Sequence, residues 1–313
     1  MNDRAKNREL RLGTRASLLA RQQAVWVKAR VEELNPGTAV TLVYIKTSGD
    51  KLDIPLFQVG GKGLFVKEIE EALTRKEVDL AVHSAKDLPA VIPEGLTLTA
   101  FPEREDPRDA LVSRGGKRFA EIPPGGKVGT GSLRRKAQLL NLRPDLEVLP
   151  LRGNLDTRLK KLTNMDLDAV ILAAAGLKRM DWGGRVSEYF GLEIMVPAIG
   201  QGALAIETRE EDEGVRKAVA PLNHPATRIS VLAERAFLQR LGGGCQVPIA
   251  GLAEVRSGKL VLTGLVAGVD GRRVIKGKAE GPVEKNMELG VKLAEELLGR
   301  GAEEILGEVY KNG

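Results

Sequence analysis

The stretch LRLGTRASLLARQQAVWVKARVEELNPG, residues 10–37, decides how the rest of the chain is read. It opens as a strand over 10–14. It then turns into a helix, because Ala20, Ala24, Val27, Val31 and Leu34 recur at helical spacing. Asn35-Pro36-Gly37 stops that helix, and residues 40–46 return as a strand. A strand, a helix and a second strand in immediate succession predict α/β layers around parallel strands.

The same alternation continues. Residues 47–62 lack periodicity and are broken by Gly49, Pro55, Gly60 and Gly61, the pattern of a lid loop. A helix with Phe65, Ile69, Ala72 and Leu73 on one face follows, then strands over 78–83 and 96–101. Strands over 127–130, 147–151 and 168–172 alternate with helices starting near Ser132, Asn154 and Ala174, which predicts a second α/β domain. Residues 203–208 read as one more strand, at which the chain is expected to cross back to the first domain. Beyond 223–225 come a helix over 227–241, the glycine run 242–244 and strands near 249–255, 260–268 and 273–279. Ser257-Gly258 and Asp270-Gly271 mark hairpins, and a last helix carries Leu289, Leu293 and Leu297. This third part predicts a small α+β domain, a three-stranded antiparallel sheet with helices. The expected limits are 8–102 with 203–221 for domain 1, 103–202 for domain 2 and 222–313 for domain 3.

Composition narrows the function classes. The 313 residues carry 48 Lys and Arg against 42 Asp and Glu, a net charge of +6, with 42% apolar and 29% charged residues; disorder, collagen and coiled coil are excluded. The longest apolar run, 169–175, is far short of the ~20 residues that cross a bilayer, and residues 1–9 are polar, so neither a membrane span nor a secretory leader is expected. The single cysteine, Cys245, has no internal disulfide partner, and His83 and His224 fit no metal spacing. A reducing, cytoplasmic setting without a metal is the expectation. The pI near 9.3 raises a nucleic-acid reading, which scattered aromatics and the lack of any like-charge block oppose.

The positive charge is informative in its placement. Three strand-to-helix junctions set arginine where a helix dipole favours anions: Arg15 beside Ser17, Arg134 and Arg135 after Ser132, and Arg152 before Asn154 with Arg158 one turn on. Ser17, Ser132 and Asn154 are also good helix caps. In open α/β sheets such junctions face the ligand crevice. Guanidinium groups grip carboxylate or phosphate in two-pronged fashion, so the expected ligand is a polyanion. Nucleotides are excluded as cofactors: Arg134 occupies the third-glycine position of the dinucleotide fingerprint, and Gly126-Lys127 lacks the Ser or Thr of a phosphate loop. Lys86-Asp87 ends a strand at the rim of the same crevice, where a carboxylate serves to stabilise a cation or move a proton. Three glycines before Cys245 let a loop present its sulfur, as an attachment point or nucleophile.

Nine segments carry a family likeness: Thr14 to Ser17, VGGKGLFVK (59–67), AVHSAKDL (81–88), EREDPRD (103–109), GTGSLRR (129–135), LRGN (151–154), AAGLKR (174–179), PAIGQGA (197–203) and GGGCQVP (242–248). Together and in this order they resemble the hydroxymethylbilane synthase, or porphobilinogen deaminase, family from about residue 10 to the end. The resemblance implies two domains of type II periplasmic-binding-protein topology with the active site in the cleft between them, and a third bearing the cofactor cysteine. It implies a dipyrromethane held by a thioether to Cys245, with no metal and no nucleotide. The implied reaction is deaminating condensation of four porphobilinogen molecules followed by hydrolytic release of a linear tetrapyrrole.

Carried over by position, Asp87 and Lys86 are the implied catalytic pair. Ser84, Thr130, Ser132, Arg134, Arg135, Arg152 and Gly153 join them around the cofactor. Arg15, Ser17, Gln23, Arg158, Arg179 and Gln201 are implied to hold substrate, with Lys62 and Phe65 on the covering loop. Gly131 stands where the family pattern has Ser, which implies one lost hydroxyl contact. Arg134→Leu and Arg135→Leu are expected to impair cofactor assembly or chain elongation with little loss of stability. A cytoplasmic monomer that binds neither nucleic acid nor membrane is the family-style expectation. The competing reading is a non-catalytic polyanion-binding or sensing module of the same fold, which needs neither Asp87 nor Cys245.

Overall fold

The structure, a computed structural model, describes residues 8–51, 63, 65–243 and 247–311. Two five-stranded sheets carry the first two-thirds of the chain. The first contains β1 (Arg8–Arg15), β2 (Thr38–Ile45), β3 (Leu80–Ser84), β4 (Leu96–Ala100) and β10 (Leu204–Arg209), in the order β2-β1-β3-β10-β4. The second contains β5 (Asp109–Ser113), β6 (Lys127–Thr130), β7 (Glu147–Pro150), β8 (Ala169–Ala173) and β9 (Glu188–Tyr189), in the order β7-β6-β8-β5-β9. Each has a parallel trio beside one reversed strand: β10 runs antiparallel to β3 and β4, and β5 to β8 and β9. This is the type II periplasmic-binding-protein arrangement, in which the chain crosses between two lobes twice.

The helices follow from local sequence. α1 (Leu18–Leu34) starts at Ser17, whose Oγ accepts from the Ala20 N–H at 3.4 Å. It buries Gln23, Ala24, Val27 and Val31 and ends before Gly37, whose φ of +85° a side chain would resist. After the short turn α2 (Ser48–Lys51) and α3 (Lys67–Thr74), the second lobe adds α4 (Leu133–Leu142), α5 (Leu155–Asn164) and α6 (Ala174–Arg179). Phe65 precedes α3 and so lies off the helical face the periodicity gave it. α7 (Glu213–Val219) packs back on the first sheet.

The C-terminal unit places α8 (Pro225–Arg240) and α9 (Asn286–Leu297) on the antiparallel sheet β11 (Ile249–Arg256), β12 (Lys259–Ala267) and β13 (Val274–Pro282). Phe237, Leu262, Leu293 and Leu297 fill that core, each burial contributing about 1.5–3 kcal/mol. α10 (Glu303–Lys311) closes the chain.

The two crossings bind each other and the C-terminal unit. The Glu105 N–H donates to the Gly202 carbonyl at 3.2 Å, and Gly202 holds φ +88° with no room for a Cβ, which would stand 2.2 Å from the Glu105 carbonyl oxygen. The buried Glu234 carboxylate of α8 takes both Nη groups of Arg104, at 2.7 and 2.8 Å, together with the Gly200 and Ala253 N–H groups. The lobes, the crossings and the third unit therefore meet at one place, and the cleft opens beside it.

Candidate active site

Between the lobes lies a cavity of about 360 Å³. Its wall is assembled largely from strand ends and the helix starts beside them. Arg15 ends β1, Ser84 ends β3, and Lys86 and Asp87 belong to the single 3-10 turn that follows. From the second lobe come Ser132, Arg134, Arg135, Arg152, Gly153, Arg158 and Arg179. Gln23 and Gln201 complete the polar lining, while Leu19, Leu155, Ile199, Leu238, Val247 and Ile249 give it apolar patches. Seven cations thus face one carboxylate: Asp87 is the only acid among the described lining residues. Val247 and Ile249 bring the C-terminal unit into the wall, on the side where the glycine run was expected to present its loop. Lys62 and Cys245 lie outside the described residues.

The cationic crowding is visible in proton affinity. Burial pushes Arg158 down to about 10, repulsion from Arg135, Arg152 and Arg15 adds to it, and Asp87 opposes; burial does the same to Arg179, with Glu105 opposing. Lys86 falls to about 8, first through desolvation and then through Arg135 and Arg158, against the pull of Asp87 and Asp109. A wall that holds these three cations below their ordinary proton affinity gains from each anionic group brought to them.

Several expected contacts are already taken. Ser17 and Ser132 cap α1 and α4, the latter accepting from the Arg135 N–H at 3.4 Å, but the Asn154 side chain makes no cap bond to α5. Thr130 is buried behind the wall, its Oγ accepting from the Ser132 N–H at 3.2 Å. The Gln23 amide donates to Ser84 at 3.1 Å, and Arg15 lies 4.3 Å above the Phe65 ring. Arg179 donates to the Gly202 carbonyl at 2.7 Å and Arg158 to that of Gly153 at 2.8 Å.

Arg134 and Arg135 do not extend freely into the crevice. Both are buried on Asp109, the first residue of β5, which sequence reasoning passed over. Asp109 accepts from Arg134 at 2.6 and 3.2 Å, from Arg135 at 2.9 and 2.7 Å, and from the Gln201 amide at 3.0 Å. The two guanidinium groups hold its carboxyl far below the usual range, despite complete burial. Arg134 also donates to the Val196 carbonyl and Arg135 to that of Ile171. The expectation that either arginine is dispensable for stability is thereby corrected, since its loss leaves a buried charge under-compensated.

Gly131 is corrected too. A Cβ there would stand 2.4 Å from the Leu151 carbonyl oxygen, so the backbone approach leaves no space for serine. Gly131→Ser is expected to lower stability by about 1–3 kcal/mol, as overpacking does, rather than to restore a contact; equilibrium urea unfolding checks it.

A dipyrromethane brings carboxylates, pyrrole N–H donors and apolar ring faces. The wall answers each, with arginines, apolar patches and two buried polar atoms that have no hydrogen-bond partner among the described residues: Arg134 Nε, a donor, and Gln201 Oε1, an acceptor. The residues present fit the group. Among the described residues no cluster of His, Cys, Asp and Glu could hold a metal, and no helix is long and apolar enough to cross a membrane.

Comparison with known proteins bears on the same cavity. Two solved structures, a putative lipoprotein from Actinomyces odontolyticus and an arginine-specific periplasmic binding protein from Salmonella typhimurium, overlap 69% of this chain and 90% and 91% of their own. Their TM-scores are 0.44 and 0.39 and their identities 12% and 16%, too loose an overlap to add to what the strand order says. Sequence relatives are far nearer. The porphobilinogen deaminase of Geobacter metallireducens is 58% identical over 97% of this chain and 96% of its own length, and that of Pelobacter propionicus 58% identical over 97% and 98%. The family model described as "Porphobilinogen deaminase, dipyromethane cofactor binding domain" matches residues 10–217, and "Porphobilinogen deaminase, C-terminal domain" matches 228–299. A match of that extent, over both lobes and the C-terminal unit, means that the chain belongs to the porphobilinogen deaminase family.

Proposed function

We propose that this chain is a hydroxymethylbilane synthase: a transferase that condenses four porphobilinogen molecules with loss of ammonia and releases the linear tetrapyrrole by hydrolysis. The observation that carries the reading is the cavity with seven cations and one carboxylate. A chain growing by acetate- and propionate-bearing pyrroles accumulates negative charge at each addition and needs such a wall. The polyanion-binding module accounts for the arginines but leaves Asp87 without a purpose.

Dipyrromethane, when bound, supplies the pyrrole carbon to which substrate is joined. Cys245 is its attachment point in this reading, and the described chain enters the cavity wall two residues later, at Val247. Arg134, Arg135 and Arg152, with Ser132, Lys86 and the backbone at Gly153, hold cofactor carboxylates; Thr130 supports them from behind the wall. Arg15, Arg158 and Arg179, with Ser17, Gln23 and Gln201, hold substrate, and Phe65 and Lys62 belong to the cover. Loss of ammonia leaves positive charge spread over the pyrrole. Asp87 stabilises that charge by accepting from the pyrrole N–H, a preorganised anion acting on a transient cation. Lys86 binds a carboxylate beside it.

The domain limits 8–102 with 203–221, 103–202 and 222–313 are part of this reading, as are a monomeric state and a cytoplasmic location.

The deciding experiment is the intact mass of the protein beside Cys245→Ala, both made in cells that produce porphobilinogen. An excess of two linked pyrrole units on the parent alone supports the proposal. No excess, and none after incubation with porphobilinogen, moves the assignment to the non-catalytic module.

Lys86 makes a pH-dependent prediction. An approaching carboxylate raises its proton affinity from about 8 toward the ordinary lysine value, so between those values the complex is the more protonated state. Porphobilinogen binding to Cys245→Ala is expected to take up protons around pH 9 and none below about pH 7. Calorimetry in buffers of different ionisation enthalpy measures this, and zero uptake at pH 9 removes Lys86 from the binding site.

A further inference from the structure

The α4 start places two adjacent arginines, Arg134 and Arg135, in a wall where each is only 4% exposed. Two buried guanidinium groups at consecutive positions repel each other, and two flexible side chains would ordinarily take many rotamers. Asp109, 0% exposed, answers both difficulties. It is the opening residue of the reversed strand β5, so its carboxylate is fixed by the sheet rather than by a loop. Five N–H contacts converge on it, four from the arginines and one from Gln201. Gln201 also donates to the Pro107 carbonyl at 2.6 Å, so both interlobe crossings reach the same hub.

Each guanidinium has five N–H donors. Arg134 gives two contacts to Asp109 and one to Val196; Arg135 gives two to Asp109 and one to Ile171. Each therefore keeps N–H groups beyond those contacts, on a side chain whose orientation is set from behind. With one carboxylate between two guanidinium groups, the trio still presents one net positive charge to the cavity.

We propose that Asp109 is a positioning residue: from behind the wall it holds Arg134 and Arg135 in the one orientation that lets their remaining N–H groups receive the ligand's carboxylates. The proposal rests on the hydroxymethylbilane synthase reading, because the ligand in question is the dipyrromethane and its extensions. Asp109 touches no ligand; it acts through the two arginines.

The test compares the parent with Asp109→Asn and Asp109→Glu, made in porphobilinogen-producing cells, on the folded fraction of each. The readouts are the fraction of folded molecules carrying the two-pyrrole mass excess, and KM and kcat of the loaded molecules. Asp109→Glu keeps the charge and displaces the carboxylate by one methylene, and misplacement on the ångström scale costs up to about a hundredfold at a preorganised site. The loaded fraction in Asp109→Glu is expected to fall at least tenfold, or KM to rise at least tenfold with kcat changed by less than about threefold. Asp109→Asn is expected to lose more.

A residue that only stabilises the fold would lower the melting temperature and leave both readouts of folded molecules at the parent's values. That outcome for Asp109→Glu overturns the proposal, and so does failure of Asp109→Glu to fold, which would make Asp109 a stability residue. A parent without the mass excess would instead overturn the functional reading beneath it.

Discussion

Asp87→Asn is expected to reduce turnover by about a hundred- to a thousandfold while leaving KM within a few-fold and the fold intact. The replacement is nearly isosteric, and Asp87 sits part-exposed in a 3-10 turn at the end of β3, so packing around it changes little. Charge is what changes. A carboxylate about 4 Å from a developing positive charge, at an effective dielectric near 20, contributes about 4 kcal/mol; each ~1.4 kcal/mol is a factor of ten in rate. The charge exists only once ammonia departs, so the loss falls on kcat. No other described residue of the lining can substitute, since the rest of its charge is positive. The measurement is single-turnover porphobilinogen consumption by Asp87→Asn loaded with cofactor. Rates within threefold of the parent would end the electrostatic role and leave Asp87 as a mere counter-charge to its cationic neighbours.

The fold was largely legible because its signals are local. The β1–α1–β2 start, the caps Ser17 and Ser132 and the hairpins of the last sheet all rest on spacing and turn chemistry within a dozen residues or so. What stayed illegible depends on partners distant in sequence. β5 reads poorly as a strand because it begins with an aspartate, and that aspartate is buried because Arg134 and Arg135 neutralise it from 25 and 26 residues away and the Gln201 amide donates to it from 92. β9 has two residues, too few for any period to show.

The site divides the same way. Arginines at helix starts marked the cleft correctly, since the strand-end geometry puts Arg15, Arg152 and Arg158 on its wall. The same rule could not separate an arginine that faces ligand directly from one anchored on a buried acid, because both sit at the same kind of junction. Likewise Gly131 looked like a lost hydroxyl when set against the family pattern, whereas Leu151, which excludes any side chain there, is twenty residues on.

Arg135→Leu is expected to destabilise the protein by about 3 kcal/mol, and Arg134→Leu by a similar amount, in addition to impairing cofactor assembly. Removing one partner of a buried ion pair typically costs about 3–5 kcal/mol, because the surviving charge stays desolvated. Here the surviving charge is Asp109, which keeps one guanidinium and the Gln201 amide, so the lower end applies. For a chain of this size ~3 kcal/mol lowers the unfolding midpoint by on the order of 5 °C.

The pH dependence identifies the cause. Asp109 is held below its unfolded proton affinity, so its contribution is complete above the ordinary carboxylate range, about pH 4, and is lost as the solution is acidified through the folded value. With one arginine gone the folded value rises toward the ordinary one, and that stabilisation shrinks. The gap between parent and Arg135→Leu should therefore be widest near neutrality and narrow in acid. Thermal melts at pH 7 and pH 3 test both points. A variant that melts with the parent at pH 7 would mean that Arg134 and Gln201 alone satisfy Asp109, and a gap unchanged between the two pH values would assign the loss to packing of the arginine side chain instead of to its charge.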